Sequence, residues 1–209
     1  MGLISKIIFT LLFLFISIKT VFAQKAWTAE MLEKANTAKN IDYLTEEEKL
    51  VVFYCNLVRM NPPLFMDTYA KKHIDSAKSS TSFTKSLIKT LGKTENMEVL
   101  YPSKKLFAIA KAHAVDFGKS GGMGHGNFQK RFEKYGRECN CEVGENCDYG
   151  FNKALDITMR LLIDEKVSNL AHRKNILNPN YKNTGVSIMK HKKYGWHCVI
   201  DYSANSVTD

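Results

Sequence analysis

Residues 183–203, NTGVSIMKHKKYGWHCVIDYS, decide the fold class of this chain. The segments 183–191 and 195–203 are rich in β-branched and aromatic residues and flank a Lys-rich turn, a pattern that predicts two β-strands. The segments before them instead carry apolar residues at helical spacing. Helices early in a chain and strands late are typical of an α+β domain, in which helices pack on a small antiparallel sheet.

The first helix has a clear start signal. Thr45 and Glu48 form a capping-box pattern ahead of an apolar stripe, which predicts an amphipathic helix over residues 46–60. A proline fits the first turn of a helix, so a second helix is expected to begin at Pro62 or Pro63 and to continue towards residue 74.

Later segments extend the helical pattern. Ser103 suits the cap of a clear helix with one apolar stripe. A short helix is predicted over residues 127–136, closing at Gly136, and another from Lys153. Residues 76–102 are rich in Ser, Thr and Lys and only weakly patterned, so they are predicted to form a variable loop.

The N-terminus has the pattern of a secretory signal peptide. Lys6 precedes an apolar run over residues 7–18, and small residues follow before Gln24, which predicts cleavage after Ala23. The run is about 12 residues long, short of the roughly 20 that a membrane span needs. The expected organisation is a signal peptide at 1–23, a polar lead-in with one short helix at 24–44, and one domain at 45–209.

The charge balance argues against a nucleic-acid partner. Loss of Lys6 and Lys19 with the signal peptide lowers the formal charge from +9 to +7. Such a charge can favour nucleic acid, acidic lipid or an anionic wall polymer. The basic residues are nevertheless scattered among acids, with no dense stripe and no interleaved aromatics, which is typical of a solvated surface.

The cysteine count suits an exported protein with disulfides. Cys55 lies on the apolar face of the first helix and is expected to be a buried, unreactive thiol. The other four cysteines can form up to two bridges, whose pairing the sequence leaves open. A zinc knuckle is disfavoured because the spacing Cys-x-Cys-x5-Cys lacks a Cys-x2-Cys pair. These four cysteines are Cys139, Cys141, Cys147 and Cys198.

Four acid or imidazole groups stand out in the polar segments. They are His125, Glu145, Asp164 (with Glu165 beside it) and His172. His125 follows glycines that leave its ring exposed, and Glu145 lies in what reads as a Gly-Glu-Asn turn. If these groups meet in space, they can bind a divalent ion such as zinc. Alternatively, a carboxylate can hold one tautomer of a histidine that acts as an acid or base.

Each of these groups also has a structural interpretation that involves no site. His125 can be a solvated loop residue, and Glu145 can satisfy backbone donors in its own turn. His113 lies on an apolar stripe and is expected to be a hydrogen-bonded core histidine. His191 and His197 lie in the two strands and are expected to be structural or surface residues.

Several fragments in this order resemble the CAP superfamily, which includes cysteine-rich secretory proteins, antigen 5 and pathogenesis-related 1 proteins and is also called SCP-like. The late fragments resemble its bacterial branch, and the resemblance covers roughly residues 47–203. The fragments are NLVRMNP (56–62), AKAHAVDF (110–117), GHGNFQKRFEKYG (124–136), VGEN (143–146), LLIDEKV (161–167) and AHRKNILNPNYKNTGVSI (171–188).

The resemblance implies an α-β-α sandwich with a cleft lined by a His/Glu/acid/His tetrad. By motif, its members are His125, Glu145, Asp164 and His172, and the two histidines are the candidate ligands of zinc or another divalent cation. The third member is usually Glu in the family, so Asp164 and the adjacent Glu165 both remain candidates. Asn146 and Arg173 are expected to support the site by hydrogen bonds from outside the first shell.

Two functions follow from the resemblance. The leading hypothesis is a secreted or periplasmic binding module for a lipid, sterol, glycan or protein, with no established catalysis. The alternative is a metal-assisted, peptidase-like hydrolase with Glu145 as general base. No Gly-x-Ser-x-Gly motif is present, and fold does not fix function. A third possibility is a structural protein that holds anionic polymers by its surface charge. The ligand and the oligomeric state are not encoded in any motif.

Overall fold

A four-stranded sheet lies at the centre of the computed structural model, which describes residues 26–207. The order of the strands is β1-β3-β4-β2; β2 and β3 pair with β4 in antiparallel fashion, while β1 adds a short parallel edge to β3. The strands β3 and β4 are the two that the sequence predicts. The strand bounds are β1 Tyr101–Pro102, β2 Val143–Tyr149, β3 Asn183–His191 and β4 Gly195–Ser203.

Helices cover both faces of this sheet. Within the described residues, their bounds are α1 Ala29–Ala35, α2 Glu46–Met60, α3 Pro62–Phe65, α4 Lys71–Ser76, α5 Ser82–Leu91, α6 Lys104–Ser120, α7 Phe128–Cys139, α8 Ala154–Ile163 and α9 Ala171–Ile176, with a π-helical segment at Met66–Ala70. None of them is long and apolar enough to cross a membrane.

Local sequence signals account for the ends of several helices. The predicted capping box of α2 is present, with Thr45 and Glu48 bonded reciprocally. The helix α3 begins at Pro62, as predicted, and the chain continues through the π-helical segment into α4. Ser103 caps α6, whose C-terminus is closed by Gly121 in the left-handed conformation.

The alternation of side chains along the strands divides the sheet into two faces. Gly185 of β3 lies against the backbone of α6 at Leu106 and Phe107, so close that a β-carbon there has no space. The next residue, Val186, points to the opposite face and packs in a core shared with α2 and α8. Helices therefore lie on both sides of the sheet, which confirms the α-β-α sandwich.

Two local predictions were wrong: the loop over residues 76–102 and the end of α7. Residues 76–102 contain α5, which begins at a reciprocal cap between Thr81 and Thr84 and buries Leu87 and Leu91. Its polar residues obscure the helical pattern, because they are not confined to the exposed face: Lys85 and Lys89 are exposed, whereas Thr84 is buried. The helix α7 does not close at Gly136 but continues to Cys139, because glycine is tolerated inside a helix and the left-handed residue is Asn140.

The segment VGEN is a strand and not the expected turn. It opens β2, which pairs with β4 over its whole length. Polar residues interrupt the alternation of apolar residues that identifies a strand in a sequence, so the sequence did not indicate a strand here. The glycine has a packing role, because a β-carbon at Gly144 meets the ring of Tyr181. Glu145 is consequently held rigidly in a sheet.

The predicted signal peptide at 1–23 lies outside the described residues. Within the predicted lead-in, one short helix is present, α1, and it buries Ala35 in the main core. The side chain of Trp27 also donates a hydrogen bond to Thr68 at 2.9 Å.

One disulfide joins Cys139 to Cys141, and Cys55, Cys147 and Cys198 are buried free thiols. The prediction of an unpaired, buried Cys55 is confirmed, and of the two bridges allowed by the sequence only one forms in the described residues. Cys147 lies opposite Val199 and Cys198 opposite Asp148, so the two thiols point to different faces of the sheet and cannot meet.

Candidate functional site

The first half of the site is a pair between His125 and Glu145. His125 follows Gly124, which has a left-handed backbone with φ of 84°, and its side chain is about half exposed at 51%. Nδ1 of the ring lies 2.9 Å from Oε1 of Glu145. A carboxylate only accepts, so Nδ1 carries the proton and the lone pair of the neutral ring is at Nε2.

Arg131 completes this half, and the sequence analysis missed it. Its guanidinium donates to Oε2 of Glu145 at 2.6 Å and to Oε1 at 2.9 Å, a two-pronged pair. It also donates to the carbonyls of His125 and Gly126. Arg131 lies in the first turn of α7, immediately after the glycine-rich loop, and nothing in its spacing from Glu145 indicates that contact.

The environment of Glu145 keeps its carboxylate ionised. Burial opposes ionisation, but the hydrogen bonds from His125 and Arg131 and the charge of Arg131 outweigh it and lower the pKa of Glu145 to about 2. The side chain is 1% exposed and both oxygens have partners. Glu145 therefore acts as a fixed negative charge that orients its neighbours.

The second half of the site is a pair between Asp164 and His172. Asp164 ends α8 in a left-handed conformation, φ 59° and ψ 42°, which directs its carboxylate to the start of α9. Oδ1 lies 2.7 Å from Nδ1 of His172, and Oδ2 accepts the backbone N–H of His172 at 2.9 Å and of Arg173 at 3.2 Å. Asp164 thus caps the N-terminus of α9 and also fixes the orientation of the His172 ring.

Of the two acids open as the third tetrad member, Asp164 contacts His172. Glu165 is exposed to solvent on the rim of the cleft. The shorter Asp side chain is sufficient because it stands at the end of α8, directly before the turn that leads into α9.

The two expected supporting residues act on the backbone of the site. Asn146 donates to the carbonyl of His172 at 3.0 Å and accepts from Asn175 at 2.8 Å, which ties β2 to α9. Arg173 is buried and donates to the carbonyls of Leu162 and Ile163 at the end of α8. Both residues therefore fix the relative positions of the elements that carry the tetrad.

The fold brings the two halves together. The ring centroids of His125 and His172 are 6.5 Å apart. Each ring has its Nδ1 held by a carboxylate, which leaves Nε2 of each as the lone-pair nitrogen. A carboxylate behind a histidine is the usual arrangement around histidine ligands of metals. Nε2 of His125 and Nε2 of His172 are therefore the ring nitrogens open to a ligand, with Glu145 and Asp164 behind them.

A cleft of about 910 Å³ opens beside the second half of the site. It is bordered by α8, the α8–α9 connection, the edge strand β2 and the end of α4. Its lining mixes ionisable and apolar side chains, among them His172, Asp164, Arg160, Met123, Phe151 and Val167. Met123 and Phe151 are two of the exposed large apolar residues of the described chain.

Asp148 is a further polar group of this cleft that sequence reasoning missed. It is 5% exposed, and Oδ1 accepts from Arg160 at 2.9 Å, while Oδ2 has no hydrogen-bond partner in the described residues. Burial raises the pKa of Asp148 to about 6, although Arg160 opposes that rise. No sequence signal separates this acid from an ordinary surface aspartate.

Of the remaining histidines, His73 lies on the border of the cleft and the other three are buried. His113 is 1% exposed and its Nε2 lies 3.0 Å from the carbonyl of Gly124, which confirms the predicted hydrogen-bonded core histidine. His191 is also buried and bonded to the carbonyl of Gly122. His197 is fully buried under α6.

One comparison with known proteins identifies a family. A model of the cysteine-rich secretory protein family (CAP) matches residues 54–202. Among solved structures, an outer surface protein of Borrelia burgdorferi is similar at 17% identity and a TM-score of 0.45, over 66% of this chain and 93% of that protein. A cysteine-rich secretory protein of Staphylococcus aureus is similar at 16% identity and a TM-score of 0.41, over 59% of this chain.

The chain spans only 37% of the Staphylococcus aureus structure. No curated protein sequence matches the chain.

Proposed function

Because the chain belongs to the cysteine-rich secretory protein (CAP) family, we propose that it is an extracytoplasmic binding module that takes an amphipathic ligand, a lipid or sterol, in the cleft beside His172. The observation that carries the proposal is an open cleft of about 910 Å³ with the exposed side chains of Met123 and Phe151 on its border. Exposed apolar side chains gathered at one cleft mark a binding surface.

The polar part of the lining suits the head of such a ligand. The partly unpartnered carboxylate of Asp148 and the half-exposed guanidinium of Arg160 lie in the same cleft. A hydroxyl can bond to either group, while the apolar body of the ligand contacts Phe151 and its neighbours. Glycan and protein ligands are the competing classes.

A divalent cation, with zinc as the first candidate, is proposed to bind Nε2 of His125 and His172. Zinc sites that perform catalysis use three protein ligands, whereas these rings supply two. The cation would therefore supply an anchoring charge at the edge of the cleft, where a polar ligand group can complete its coordination. Glu145 and Asp164 keep both rings in the tautomer that coordination requires.

The hydrolase alternative gains no support from Glu145. A general base works best with a pKa near the working pH and with a free oxygen within reach of its substrate. Glu145 has a pKa of about 2, its oxygens are bonded to His125 and Arg131, and its side chain is 1% exposed. Chelator-sensitive turnover that Glu145→Ala abolishes would contradict this conclusion.

Export is part of the proposal and rests on residues 1–23 and on the family. The disulfide between Cys139 and Cys141 suits an oxidising compartment. The intact mass of protein recovered from the producing cell tests it, and we expect a chain that begins at Gln24. A full-length mass with Met1 retained would contradict export by a cleaved signal peptide.

Ligand binding is tested with a fluorescent sterol and a fluorescent fatty acid, titrated into mature protein without a histidine tag. We expect saturable binding that weakens about tenfold in Phe151→Ala. The matched control is Tyr101→Ala, another exposed aromatic residue, which lies away from the cleft. Absence of binding to both probes would contradict the lipid or sterol class. Binding of an anionic polymer that disappears in moderate salt would favour the structural alternative.

The metal is tested separately by calorimetry with zinc. We expect that His125→Ala and His172→Ala each remove the same binding event. Zinc heat that is unchanged in both variants would exclude these two rings as ligands and leave the lipid measurement unaffected.

A further inference from the structure

The sheet face beneath α6 carries an internal layer of polar side chains. Glu145 and Cys147 of β2 and His197 and Asp201 of β4 belong to this layer, since residues two apart on a strand share a face. All four are buried, with exposures from 0% to 8%. His113 of α6 faces them from above, with its ring centroid 5.4 Å from that of His197. Such a layer needs partners that apolar packing does not supply.

Two members of this layer, together with the facing His113, have the donor atoms of a metal site. His113, Cys147 and His197 each offer a ligand atom, and these atoms lie within 4.8 Å of one another. Imidazole nitrogen and thiolate sulfur are the ligands that zinc prefers in proteins. Each residue comes from a different element, α6, β2 and β4, so the cluster exists only in the folded chain.

His197 provides an independent indication of a missing partner. It is fully buried, and neither ring nitrogen has a hydrogen-bond partner among the described residues. The backbone of Ala114 favours the charged form of the ring, but burial outweighs this effect. A buried polar group left without a partner costs about 1–3 kcal/mol. A buried imidazole without a hydrogen-bond partner in a well-packed layer suggests that a ligand binds one of its nitrogens.

The surroundings hold that ring in place and keep it neutral. Tyr149 stacks on His197 with centroids 4.4 Å apart and planes 7° apart, and Phe117 stacks at 6.3 Å. Burial, together with the neighbouring His113 and His191, lowers the pKa of His197 to about 4. A lone pair is therefore available at neutral pH.

We propose that His113, Cys147 and His197 bind a zinc ion at a buried site that adjoins the His125 and His172 pair. The Cys147 thiol lies 3.9 Å from Nδ1 of His125, the ring nitrogen that faces away from the cation proposed at Nε2. The proposal does not depend on the lipid-binding function. Cys147 lines the cleft, so the ion reaches the cluster past the Gly124 loop. Coordination replaces the thiol proton of Cys147, which passes to solvent, so apparent affinity rises with pH.

The backbone carbonyl of Gly124 contacts two of the three proposed ligand side chains. Gly124 accepts from the Cys147 thiol at 3.6 Å and lies 3.0 Å from Nε2 of His113. The loop that presents His125 therefore also closes the buried cluster. Asp201 is a further unsatisfied polar group of the layer, since its two carboxyl oxygens have no hydrogen-bond partner in the described residues. Burial and the charge of Glu145 raise the pKa of Asp201 well above its usual range.

Cobalt(II) substitution tests the site because cobalt bound to a thiolate has a near-ultraviolet charge-transfer band that a His-only site lacks. We expect one equivalent of cobalt to produce this band in tag-free mature protein and zinc to displace it. Cys147→Ser should abolish the band. Cys198→Ser is the matched control, a buried free thiol that points to the other face, and should retain it, as should His125→Ala and His172→Ala.

His197→Phe keeps the test decisive if Cys147→Ser folds poorly. Removal of an unpartnered imidazole should leave the melting temperature of the metal-free protein unchanged or higher. In a His172→Ala background, which removes the other proposed zinc site, the rise of that temperature with zinc should disappear, and affinity should fall by more than the roughly 10- to 100-fold cost of losing an outer-shell partner. A wild type without the sulfur band, or a zinc-induced rise that survives His197→Phe in that background, would overturn the site in favour of a hydrated polar layer.

Discussion

Oδ1 of Asp164 lies 2.7 Å from Nδ1 of His172, while Oδ2 of the same carboxylate accepts the backbone N–H of His172 at 2.9 Å. One side chain therefore fixes both the start of α9 and the orientation of the ring that α9 carries. His125 is held in the same way by a different element, since Glu145 comes from the sheet. The two rings meet at one end of β2 because each is bonded to a rigid acceptor.

Asp164→Asn is expected to change the tautomer of His172. The amide nitrogen of Asn can donate to Nδ1, which moves the ring proton to Nε2 and removes the lone pair from the cleft. Zinc affinity should fall about 10- to 100-fold when it is measured by calorimetry in the Cys147→Ser background. Nitrogen-15 shifts of the ring report the tautomer directly. Glu165→Gln, at the exposed neighbour, should change neither measurement; equal effects of both variants would refute the assignment.

Arg131→Met is expected to destabilise the protein by about 3–5 kcal/mol, because it leaves the buried carboxylate of Glu145 without its main partner. Chemical unfolding measures the change in free energy. Arg137→Met is the matched control, since Arg137 lies on the same helix in an exposed pair with Glu133. Its cost should be at most about 1 kcal/mol. Similar losses of stability in the two variants would show that the buried pair of Arg131 with Glu145 contributes no more than an exposed ion pair.

Glu145 should make the fold acid-sensitive. Its pKa is lowered from 4.5 to about 2 in the folded protein, so its contribution is fully present above pH 4.5 and is lost as the pH falls towards 2. The free energy of unfolding of the wild type should decline across that window. In Glu145→Gln the decline should be shallower, whereas Glu133→Gln, at an exposed acid of α7, should follow the wild type.

Ionisation of Asp148 should have the opposite effect on stability from that of Glu145. Burial raises its pKa from 3.8 to about 6, so the folded protein binds this proton more tightly, and its ionisation weakens the fold as pH rises from 3.8 through 6. Asp148→Asn should therefore stabilise the protein at pH 7, by up to about 3 kcal/mol, and by little at pH 3.5. Thermal melts at both pH values measure this, and a loss of stability at pH 7 would contradict it.

Patterns within single elements were readable from the sequence. The cap of α2 at Thr45, the proline start of α3 and the strands β3 and β4 depend on neighbouring residues, so local chemistry specifies them. The prediction of a turn at VGEN was wrong because this strand depends on distant residues. A strand that carries Glu, Asn and Asp has no apolar alternation, and only its pairing with β4 makes it a strand.

The motifs determined which residues belong together, and the tertiary structure decided how each is used. His125, Glu145, Asp164 and His172 could be named in advance because their fragments occur in a recognisable order. The contact of Arg131 with Glu145 and the meeting of His113, Cys147 and His197 depend on packing between separate elements, and the pairing of Asp164 with His172 depends on the turn between α8 and α9. Sequence spacing does not encode such distances, because hydrogen bonds and burial select them only after the sheet and its helices have assembled.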